Sequence, residues 1–393
     1  MTSSGPNGAV VVHVFGRTDV GRTREHNEDA FVVADLTTGN ATLQPDVRTH
    51  AVGDRGSLFM VADGMGGAAA GEIASAMAIE VVLGELSNSL TEAAQAPDGE
   101  TFAAALKRAT ATANAAIHTY ALEHPEYRGM GTTATIAGVL GDTLYLAQVG
   151  DSRAYLVRDG KAMQITKDQS LMQKLIEAGE ITEEEAEQSE RRNIILQALG
   201  PESAIKVDLT HQQVRRLDTL VLCSDGLSGQ VRIDEIARVA TEEPDLMAVC
   251  KRLIDSANEN GGPDNITVIA VRFDGDALIA PESGDSVGHK RFALPTDSEQ
   301  TVAAPRRTTP ITIKTTAETP TPTHRSTLRI APSNAPVDFP PRPVVSPARK
   351  VRGSLIALGL LVVFLAVAMW YVYRTTASIV APQPAKAAAP TSP

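Results

Sequence analysis

Aspartates recur where apolar runs of this sequence begin or end, and they are the residues best suited to chemistry. Asp63 ends the run LFMVAD, Asp151 follows LYLAQVG, Asp225 follows LVLCS, and Asp264 precedes ITVIAVRF. The first three have glycine or serine neighbours and Asp264 follows Gly-Gly-Pro, so each, taken alone, is typical of a turn. Four together are different, because strand ends of packed sheets converge on one edge and clustered carboxylates repel one another unless cations neutralise them.

Oxygen ligands of this kind suit hard divalent cations. The stretch FMVADGMGGAAAGEIAS, residues 59–75, sets Asp63 among four glycines, which leave the Gly64 carbonyl open to approach. Carboxylates combined with a backbone carbonyl favour Mg²⁺ or Mn²⁺. Two such ions can lower the pKa of a bridging water and hold a phosphoryl oxygen. The pattern therefore indicates metal-assisted chemistry on a phosphoryl group.

A second polar group precedes an early apolar run. The segment GRTREHNEDAFVV places Glu28 and Asp29 near Arg24, whose planar guanidinium matches the geometry of a phosphate. An exposed arginine without a function is an equal interpretation of this segment alone.

Several other kinds of site are excluded. The eight histidines form no HExxH pair, no Walker A motif is present, and GMGTTA at 129–134 is followed by a β-branched run where a dinucleotide site needs a helix. Cys223 lacks the arginine six residues on that a cysteine phosphatase loop requires, so we expect a buried structural thiol. Two cysteines in all exclude a disulfide scaffold and a cysteine-rich zinc site, which fits a reducing cytosol.

The elements that must position these residues alternate between short apolar runs and amphipathic segments. Helices are predicted at 71–87, 100–122, 233–241 and 245–259, with an acidic helical stretch at 168–199. Strands are predicted for AVVVHVFG, DAFVVAD, LFMVADG, 204–211, 219–223 and ITVIAVRF, and TTATIAGVLGDTLYLAQVGDSRAYLVRDGK is predicted to be a three-stranded antiparallel meander. Hairpins with helices inserted in pairs predict an α+β fold, with helices on the outer faces of antiparallel sheets.

The charge is unevenly distributed along the chain. The net charge is −11, and because the residues after 274 carry a surplus of six basic groups, residues 1–274 carry −17. An acidic domain repels phosphate backbones, so nucleic acid is not expected as a partner.

The composition changes near residue 275. Twelve of the 23 prolines lie in residues 275–350, mixed with Thr, Ser and Arg. Such a segment buries too little apolar surface to fold, so 275–353 is predicted to be a disordered linker spanning roughly 50 Å. The uncharged run SLIALGLLVVFLAVAMWYVY at 354–373 is long enough to cross a bilayer as a helix. Residues 1–9 are predicted to be a flexible start.

Basic residues set the expected orientation of that helix. Before it lie Arg342, Arg349, Lys350 and Arg352, and after it only Arg374 and Lys386. The positive-inside rule then predicts a single-pass protein of the inner (cytoplasmic) membrane, with the large domain in the cytoplasm and a short tail, 374–393, outside. The N-terminal residues show no basic region followed by an apolar stretch, so a secretory signal is not expected.

Six short motifs carry a family resemblance. They are RxxNED at 24–29, DGMGG at 63–67, GTT at 131–133, GDSR at 150–153, SDGL at 224–227 and DN at 264–265. In this order they resemble the metal-dependent type-2C (PPM) Ser/Thr protein phosphatases, in their bacterial membrane-anchored form. The resemblance covers about residues 10–273, so a catalytic domain is expected at 10–274. It implies an αββα four-layer sandwich, with two central antiparallel sheets flanked by helices.

The resemblance also implies a set of cation ligands. Asp63 would bridge two Mn²⁺ or Mg²⁺ ions, and the Gly64 carbonyl would bind one of them. Asp225 and Asp264 would complete the shell of the other. Asp151, with Asp225, would hold a third and weaker ion.

The remaining implied roles concern substrate and solvent. Glu28 and Asp29 would act through ion-bound water, Arg24 would hold the substrate phosphate, and the acidic insert at 165–200 would be a mobile flap. Met65 stands where eukaryotic members often have a histidine thought to protonate the leaving group, and methionine cannot transfer a proton. The implied reaction is one-step hydrolysis of phosphoserine or phosphothreonine in proteins by a metal-activated water.

Two alternatives stay open at this point. A pseudophosphatase, a membrane-tethered binding module on the same fold, would be favoured by loss of Asp63, Asp225 or Asp264, and all three are present. A phosphatase dedicated to one phosphorylated regulator, as in a stress or sporulation switch, is the other. The lack of an attached sensor domain favours a broader role opposing Ser/Thr protein kinases at the membrane.

Overall fold

The computed structural model describes residues 8–43, 45–67, 69–92, 95–189, 191–282 and 285–295. In this part of the chain two antiparallel sheets stack face to face, and a pair of long helices covers the outer face of each. This is the αββα sandwich expected from the sequence.

Thirteen strands and eight α-helices follow one another in the described part of the chain. The strands are β1 Val11–Asp19, β2 Ala30–Asp35, β3 Thr49–Ala51, β4 Ser57–Ala62, β5 Gly64–Met65, β6 Gly131–Thr132, β7 Ala134–Leu140, β8 Thr143–Val149, β9 Arg153–Arg158, β10 Lys161–Gln164, β11 Asp208–Gln213, β12 Thr219–Cys223 and β13 Ile266–Asp274. The helices are α1 Pro45–Arg48, α2 Ala70–Glu92, α3 Gly99–Glu123, α4 Leu171–Glu177, α5 Glu183–Glu187, α6 Asp225–Ser228, α7 Ile233–Glu242 and α8 Leu246–Glu259.

The strand order shows that the predicted meander is wrong. One sheet has the order β10-β9-β12-β13-β1-β3 and the other β11-β8-β7-β4-β2. β7 and β8 form a hairpin, but β9 pairs with β10 and β12, so the chain crosses between the sheets at residues 150–152. Alternating strands and turns look the same in sequence whether the next strand joins the same sheet or the facing one.

Strand β4 shows why the strands read as unbroken apolar runs. Successive side chains point to opposite faces of a strand. Leu58, Met60 and Ala62 therefore pack against the helices outside their sheet, whereas Phe59 and Val61 pack between the two sheets. Because both faces are buried, no polar alternation marks the strand.

The helices close the two outer faces. α2 and α3 cover the five-stranded sheet, and α7 and α8 cover the six-stranded one. α2 buries Ala74, Ala78, Val82 and Leu86 at four-residue spacing, on one side of the helix. Among the described residues α2 is also the one helix long and apolar enough to cross a membrane, although this face of it lies in the core.

The acidic stretch 168–199 is less helical than predicted. Its described residues form only α4 and α5, and the strand predicted at 204–211 begins at Asp208. α4 ends where Gly179 adopts a positive φ of 72° and the Glu180 N–H bonds back to the Leu175 carbonyl, the usual glycine stop of a helix. Glutamate-rich composition favours helix, but this glycine limits its length.

The chain does not leave the folded domain at residue 275 as predicted. Residues 275–282 and 285–295 form a C-terminal strap that packs along the outer edge of β11. The Phe292 N–H donates to the Leu209 carbonyl at 2.8 Å, and the His211 N–H donates to the Lys290 carbonyl at 2.9 Å. The proline-rich composition predicted a linker. An average composition does not reveal that a few apolar residues of a segment pack against an existing core.

Those apolar residues and one ion pair anchor the strap. Leu278 is 3% exposed in the core between the sheets, and Leu294 is 6% exposed beneath the helices. Asp285 accepts a hydrogen bond from Arg215 Nε at 2.6 Å. The described strap is thus part of the domain.

Three predicted segments lie outside the described residues. They are the linker beyond residue 295, the transmembrane helix at 354–373 and the tail at 374–393. Residues 1–7 of the predicted flexible start lie outside as well.

Leu278 and its neighbour Ile279 provide a matched test of the strap. In the full-length protein, Leu278→Ala should lower the free energy of unfolding of the domain by about 2–5 kcal/mol, because it leaves a cavity in the core. Ile279 is 52% exposed, so Ile279→Ala should change it by no more than about 0.5 kcal/mol. Urea unfolding followed by far-ultraviolet circular dichroism measures both, and equal effects would show that the strap does not pack as described.

Candidate metal centre

The carboxylates singled out from the sequence all lie at one end of the sandwich. Asp63 follows β4, Asp151 follows β8, Asp225 follows β12, Asp29 precedes β2 and Asp264 lies two residues before β13. Neighbouring strands are antiparallel, so the carboxyl end of one lies beside the amino end of the next. Ala62 accordingly pairs with Ala30, and Cys223 with Val268.

The main chain of Asp63 is held by two adjacent threonines. The Asp63 N–H donates to Thr133 Oγ1 at 3.0 Å. Its carbonyl accepts from Thr132 Oγ1 at 2.9 Å and from the Thr133 N–H at 2.8 Å. With both backbone groups bound, the carboxylate of Asp63 leaves the end of β4 in a fixed direction.

Gly64 has no room for a side chain. A Cβ there would collide with the Gly71 carbonyl oxygen and lie 2.5 Å from the Glu28 carbonyl oxygen. Close packing of three backbone segments therefore requires glycine at this position. The glycine brings the start of α2 and the loop before β2 against the end of β4.

Asp29 is buried, and only one of its two carboxylate oxygens has hydrogen-bond partners in the described structure. Its Oδ2 accepts from Ser224 Oγ at 2.8 Å and from Thr267 Oγ1 at 2.6 Å. Its Oδ1 is buried with no hydrogen-bond partner in the described structure. An unpaired buried carboxylate oxygen is costly, and it is free to bind a cation or an ordered water.

Asn265 fastens the loop that carries Arg24, Glu28 and Asp29. Its Oδ1 accepts from the Glu28 N–H at 2.8 Å, and its Nδ2 donates at 2.9 Å to the carbonyls of Val20 and His26. Glu28 is partly exposed, and burial is the main cause that raises the pKa of its carboxyl group. One asparagine side chain thus joins the start of β13 to the polar segment before β2.

Arg24 lies at the rim of the site and is paired there. Its Nη2 donates to Asp264 Oδ2 at 2.8 Å, and its side chain is 50% exposed. This hydrogen bond is the main cause that raises the pKa of Arg24. A guanidinium carries five donors, so this half-exposed side chain keeps other N–H groups with which it could bind an anion.

Asp151 occupies the point where the chain crosses between the sheets. It is 7% exposed, and its Oδ1, like that of Asp29, is buried with no partner in the described structure. Two residues on, Arg153 forms a bidentate ion pair with Asp168, with Nη2–Oδ2 at 2.7 Å and Nε–Oδ1 at 3.1 Å. This pair fixes the start of the insert to the crossing loop.

Burial and mutual repulsion raise the pKa values of the carboxyl groups at this site. Burial is the main cause that raises the pKa of Asp63 well above its usual range, followed by the charges of Asp29, Asp225 and Asp151. The pKa of Asp225 is raised by burial and by Asp264. Burial raises the pKa of Asp29 and of Asp151 to about 7. The centre is thus short of positive charge.

The carboxylates do not close around a single point. Within the described residues, no three acidic, histidine or cysteine side chains form a group able to enclose an ion unaided. An ion at this centre would complete its shell with a backbone carbonyl and water, as Mg²⁺ and Mn²⁺ ordinarily do. The arrangement therefore leaves room in the ion's shell for ligands other than side chains.

The two ends of the predicted flap, residues 165–200, are hydrogen-bonded to segments next to the site. Gln169 Oε1 accepts from the Gly150 N–H at 3.0 Å and from Gln197 Nε2 at 2.8 Å. Leu199 and Thr132 exchange backbone hydrogen bonds of 2.8 and 3.1 Å. A cavity of about 360 Å³ lies within the flap, and no carboxylate of the centre lines it.

The functional residues that sequence reasoning missed are polar but uncharged. They are Thr132, Thr133, Gln169, Ser224, Asn265 and Thr267. Four of them belong to the motifs GTT, SDGL and DN, so their place in those motifs was a usable signal. Gln169 and Thr267 carried no signal, because their partners are distant in sequence.

The two cysteines are confirmed as structural. Cys223 and Cys250 are free and buried in the core beneath α7 and α8. Burial raises the pKa of each thiol to about 12, so neither is a thiolate near neutral pH.

Comparison with known proteins gives one consistent result. A family model described as Protein phosphatase 2C matches residues 39–268. The chain is 37% identical over 263 residues to the serine/threonine phosphatase Stp of Listeria monocytogenes, and the match spans 67% of this chain and 96% of the Listeria protein.

Solved structures agree with the sequence matches. The crystal structure of the Mycobacterium tuberculosis serine/threonine phosphatase PstP/Ppp is 36% identical, with a TM-score of 0.56, over 67% of this chain and 99% of that chain. The catalytic domain of PstP in complex with two manganese ions is 35% identical, with a TM-score of 0.55, over the same shares of the two chains.

The raised pKa values predict how the cation-free protein responds to pH. Asp29 and Asp151 titrate near 7 when folded and near 4 when unfolded. The folded state therefore binds more protons between about pH 4 and 7, so its stability should fall as pH rises through this window, by up to about 1.4 kcal/mol per pH unit for each group. Urea unfolding of the full-length protein in EDTA at pH 5–8 measures this slope.

Two variants test whether the pH dependence of stability comes from the carboxylates of this site. Asp151→Asn cannot ionise, so it should reduce the slope. Asp54 is exposed in the turn before β4, at the end of the strand opposite Asp63, so Asp54→Asn should leave the slope unchanged. Stability that is flat or rises between pH 5 and 7 in the unsubstituted protein would contradict the assignment.

Proposed function

This chain belongs to the protein phosphatase 2C family and is a metal-dependent protein serine/threonine phosphatase, and from that premise we propose which residues bind the cations and which bind the substrate. Its substrates are phosphoproteins. The observation that best supports these roles is the cluster of carboxylates at one end of the sandwich, two of which have buried oxygens without partners in the described structure.

The residues present fit divalent cations. Asp29 and Asp151 each have a buried oxygen without a hydrogen-bond partner in the described structure. Burial, and after it the charges of neighbouring carboxylates, raise the pKa of Asp63 and Asp225, so a cation would stabilise their ionised forms. Mn²⁺ and Mg²⁺, the cations that the family uses, are hard ions that prefer oxygen ligands. The related phosphatase PstP holds two manganese ions.

The cation ligands are assigned by position. Asp63, which follows β4, and the adjacent Gly64 carbonyl would hold the ions together with Asp225 and Asp264, which lie at the ends of β12 and β13 in the facing sheet. Asp151, with Asp225, would hold a third and weaker ion. When bound, such cations lower the pKa of a bridging water and neutralise charge on the phosphoryl oxygens.

The chain's own groups orient the substrate and hold solvent. Glu28 and Asp29 are carboxylates beside the centre that accept hydrogen bonds from water. Arg24, half exposed at the rim and braced by Asp264, presents its remaining N–H groups to the phosphate of the substrate. Met65, in β5 beside Asp63, has no proton to give to the leaving oxygen.

A covalent intermediate on cysteine does not fit this site. Both thiols are buried and have pKa values near 12, and neither lies at the mouth where Arg24 is exposed. Direct attack by water on phosphorus is therefore the route that the residues support.

The placement in the cell is a further part of the proposal. The uncharged run at 354–373 and the basic residues before it favour anchoring by one C-terminal helix, with the catalytic domain in the cytoplasm. In that position the enzyme opposes Ser/Thr protein kinases at the inner membrane.

Catalysis is tested with a phosphothreonine peptide and the full-length protein. Hydrolysis should require Mn²⁺ and stop in EDTA, and Asp63→Asn should reduce kcat/KM by more than about a hundredfold, because even residues that only support a metal ligand cost about 10- to 100-fold. Asp54→Asn is the control. A folded protein that hydrolyses nothing with any divalent ion would point to the pseudophosphatase alternative.

Substrate binding by Arg24 has a nearby control in Arg22, which is also exposed. Arg24→Ala should lower kcat/KM for the phosphopeptide by about 10- to 100-fold, because it removes charge-assisted hydrogen bonds to the phosphate. Arg22→Ala should have little effect. Equal losses in steady-state kinetics of the two variants would refute the assignment.

Membrane anchoring is tested by cell fractionation. The full-length chain should sediment with inner membranes and resist extraction by salt, because a single apolar helix anchors it. A chain ending at residue 353 should move to the soluble fraction and keep its specific activity. Salt-extractable full-length protein would argue against the helix.

A further inference from the structure

Thr133 lies between the two loops that carry Asp63 and Asp151. Its Oγ1 accepts from the Asp63 N–H at 3.0 Å and is hydrogen-bonded to Ser152 Oγ at 2.8 Å. Thr133 is 1% exposed and Ser152 is fully buried. One hydroxyl group therefore connects the backbone of Asp63 with the residue that follows Asp151.

The connection joins the two sheets of the sandwich. Asp63 ends β4 of the five-stranded sheet, and Ser152 precedes β9 of the six-stranded sheet. The same crossing loop is also tied to the five-stranded sheet by Thr135 Oγ1 of β7 and Gln148 Nε2 of β8, which donate to the Ser152 carbonyl at 2.9 and 2.7 Å. Those bonds hold the loop, but they do not reach Asp63.

The methyl group of Thr133 also fits the crossing closely. Gly150 has a φ of 101°, and a Cβ there would lie 2.6 Å from Thr133 Cγ2. Gly150 of the crossing loop thus packs against the methyl group of Thr133. The hydroxyl group of Thr133 bonds to the Asp63 N–H and to Ser152. Of these contacts, only those of the hydroxyl group reach both the Asp63 backbone and the residue after Asp151.

We propose that Thr133 is a positioning residue whose hydroxyl sets the spacing between the Asp63 and Asp151 carboxylates, and thereby the affinity of the centre for divalent cations. This inference rests on the proposed function, because it assumes that both carboxylates are cation ligands. A residue that supports a metal ligand ordinarily changes metal affinity by about 10- to 100-fold.

The test compares Mn²⁺ affinity, measured by isothermal titration calorimetry, in variants of the full-length protein. Thr133→Val keeps the shape and removes the hydroxyl, so binding should weaken by about tenfold or more. Thr133→Ser keeps the hydroxyl and should stay within about threefold of the unsubstituted protein. Steady-state kinetics should show the same order in the Mn²⁺ concentration needed for half-maximal activity.

Thr110 offers a matched control. It is a fully buried threonine in α3 whose Oγ1 donates to the Leu106 carbonyl at 2.8 Å, away from the site. Thr110→Val loses a buried hydroxyl, and we expect lower thermal stability with unchanged Mn²⁺ affinity. If Thr133→Val likewise loses stability and keeps its Mn²⁺ affinity, Thr133 is only structural and the inference is wrong.

Ser152→Ala tests the same link from its other end, and it serves if Thr133→Val does not fold. It leaves the bond from Asp63 to Thr133 in place, and Mn²⁺ binding should still weaken. Unchanged affinity in Ser152→Ala would overturn the inference. An unsubstituted protein that binds no Mn²⁺ would overturn the proposed function instead, so the two failures are distinguishable.

Discussion

Repulsion among carboxylates is the constraint on which the rest of this structure depends. Asp29, Asp63, Asp151 and Asp225 lie at one end of the sandwich, where burial raises the pKa of each carboxyl group and at least one neighbouring carboxylate raises it further. Such a cluster is unfavourable by itself, so the protein must hold it by interactions elsewhere. Divalent cations relieve the repulsion, and the free energy of that relief is available for binding them. Carboxylates that repel one another in this way therefore favour the binding of cations.

The two-sheet architecture supplies the opposing interactions. Strands such as β4 are buried on both faces, so their ends move little, and every carboxylate of the centre is attached to a strand end. Neutral groups then fix the loops between strands: Thr132 and Thr133 bind the backbone of Asp63, and Asn265 binds the loop before β2. Neutral donors are suited to this task, because they hold a carboxylate in place without neutralising it. The charge remains available to the cations and the substrate.

Most of the sandwich followed from local patterns, because apolar periodicity depends only on neighbours in sequence. The predicted helices at 233–241 and 245–259 match α7 and α8 to within a residue at their ends, and β12 was predicted to the residue. Three predictions failed for a common reason. The meander divides between two sheets, the acidic insert is stopped by Gly179, and the C-terminal strap packs on β11. In each case a contact with a distant or single residue outweighed the average tendency of the segment.

The sequence by itself determined which residues carry charge at the strand ends, and hence the kind of chemistry, because residue type and strand periodicity are local properties. It could not determine which polar atoms would meet. The bonds of Asp29 to Ser224 and Thr267 span 195 and 238 residues, and the crossing at 150–152 depends on which sheet accepts β9. Such pairings are selected by packing of the whole chain, since only the folded sandwich brings these atoms within hydrogen-bond distance. The tertiary structure therefore decided how the carboxylates are spaced and held.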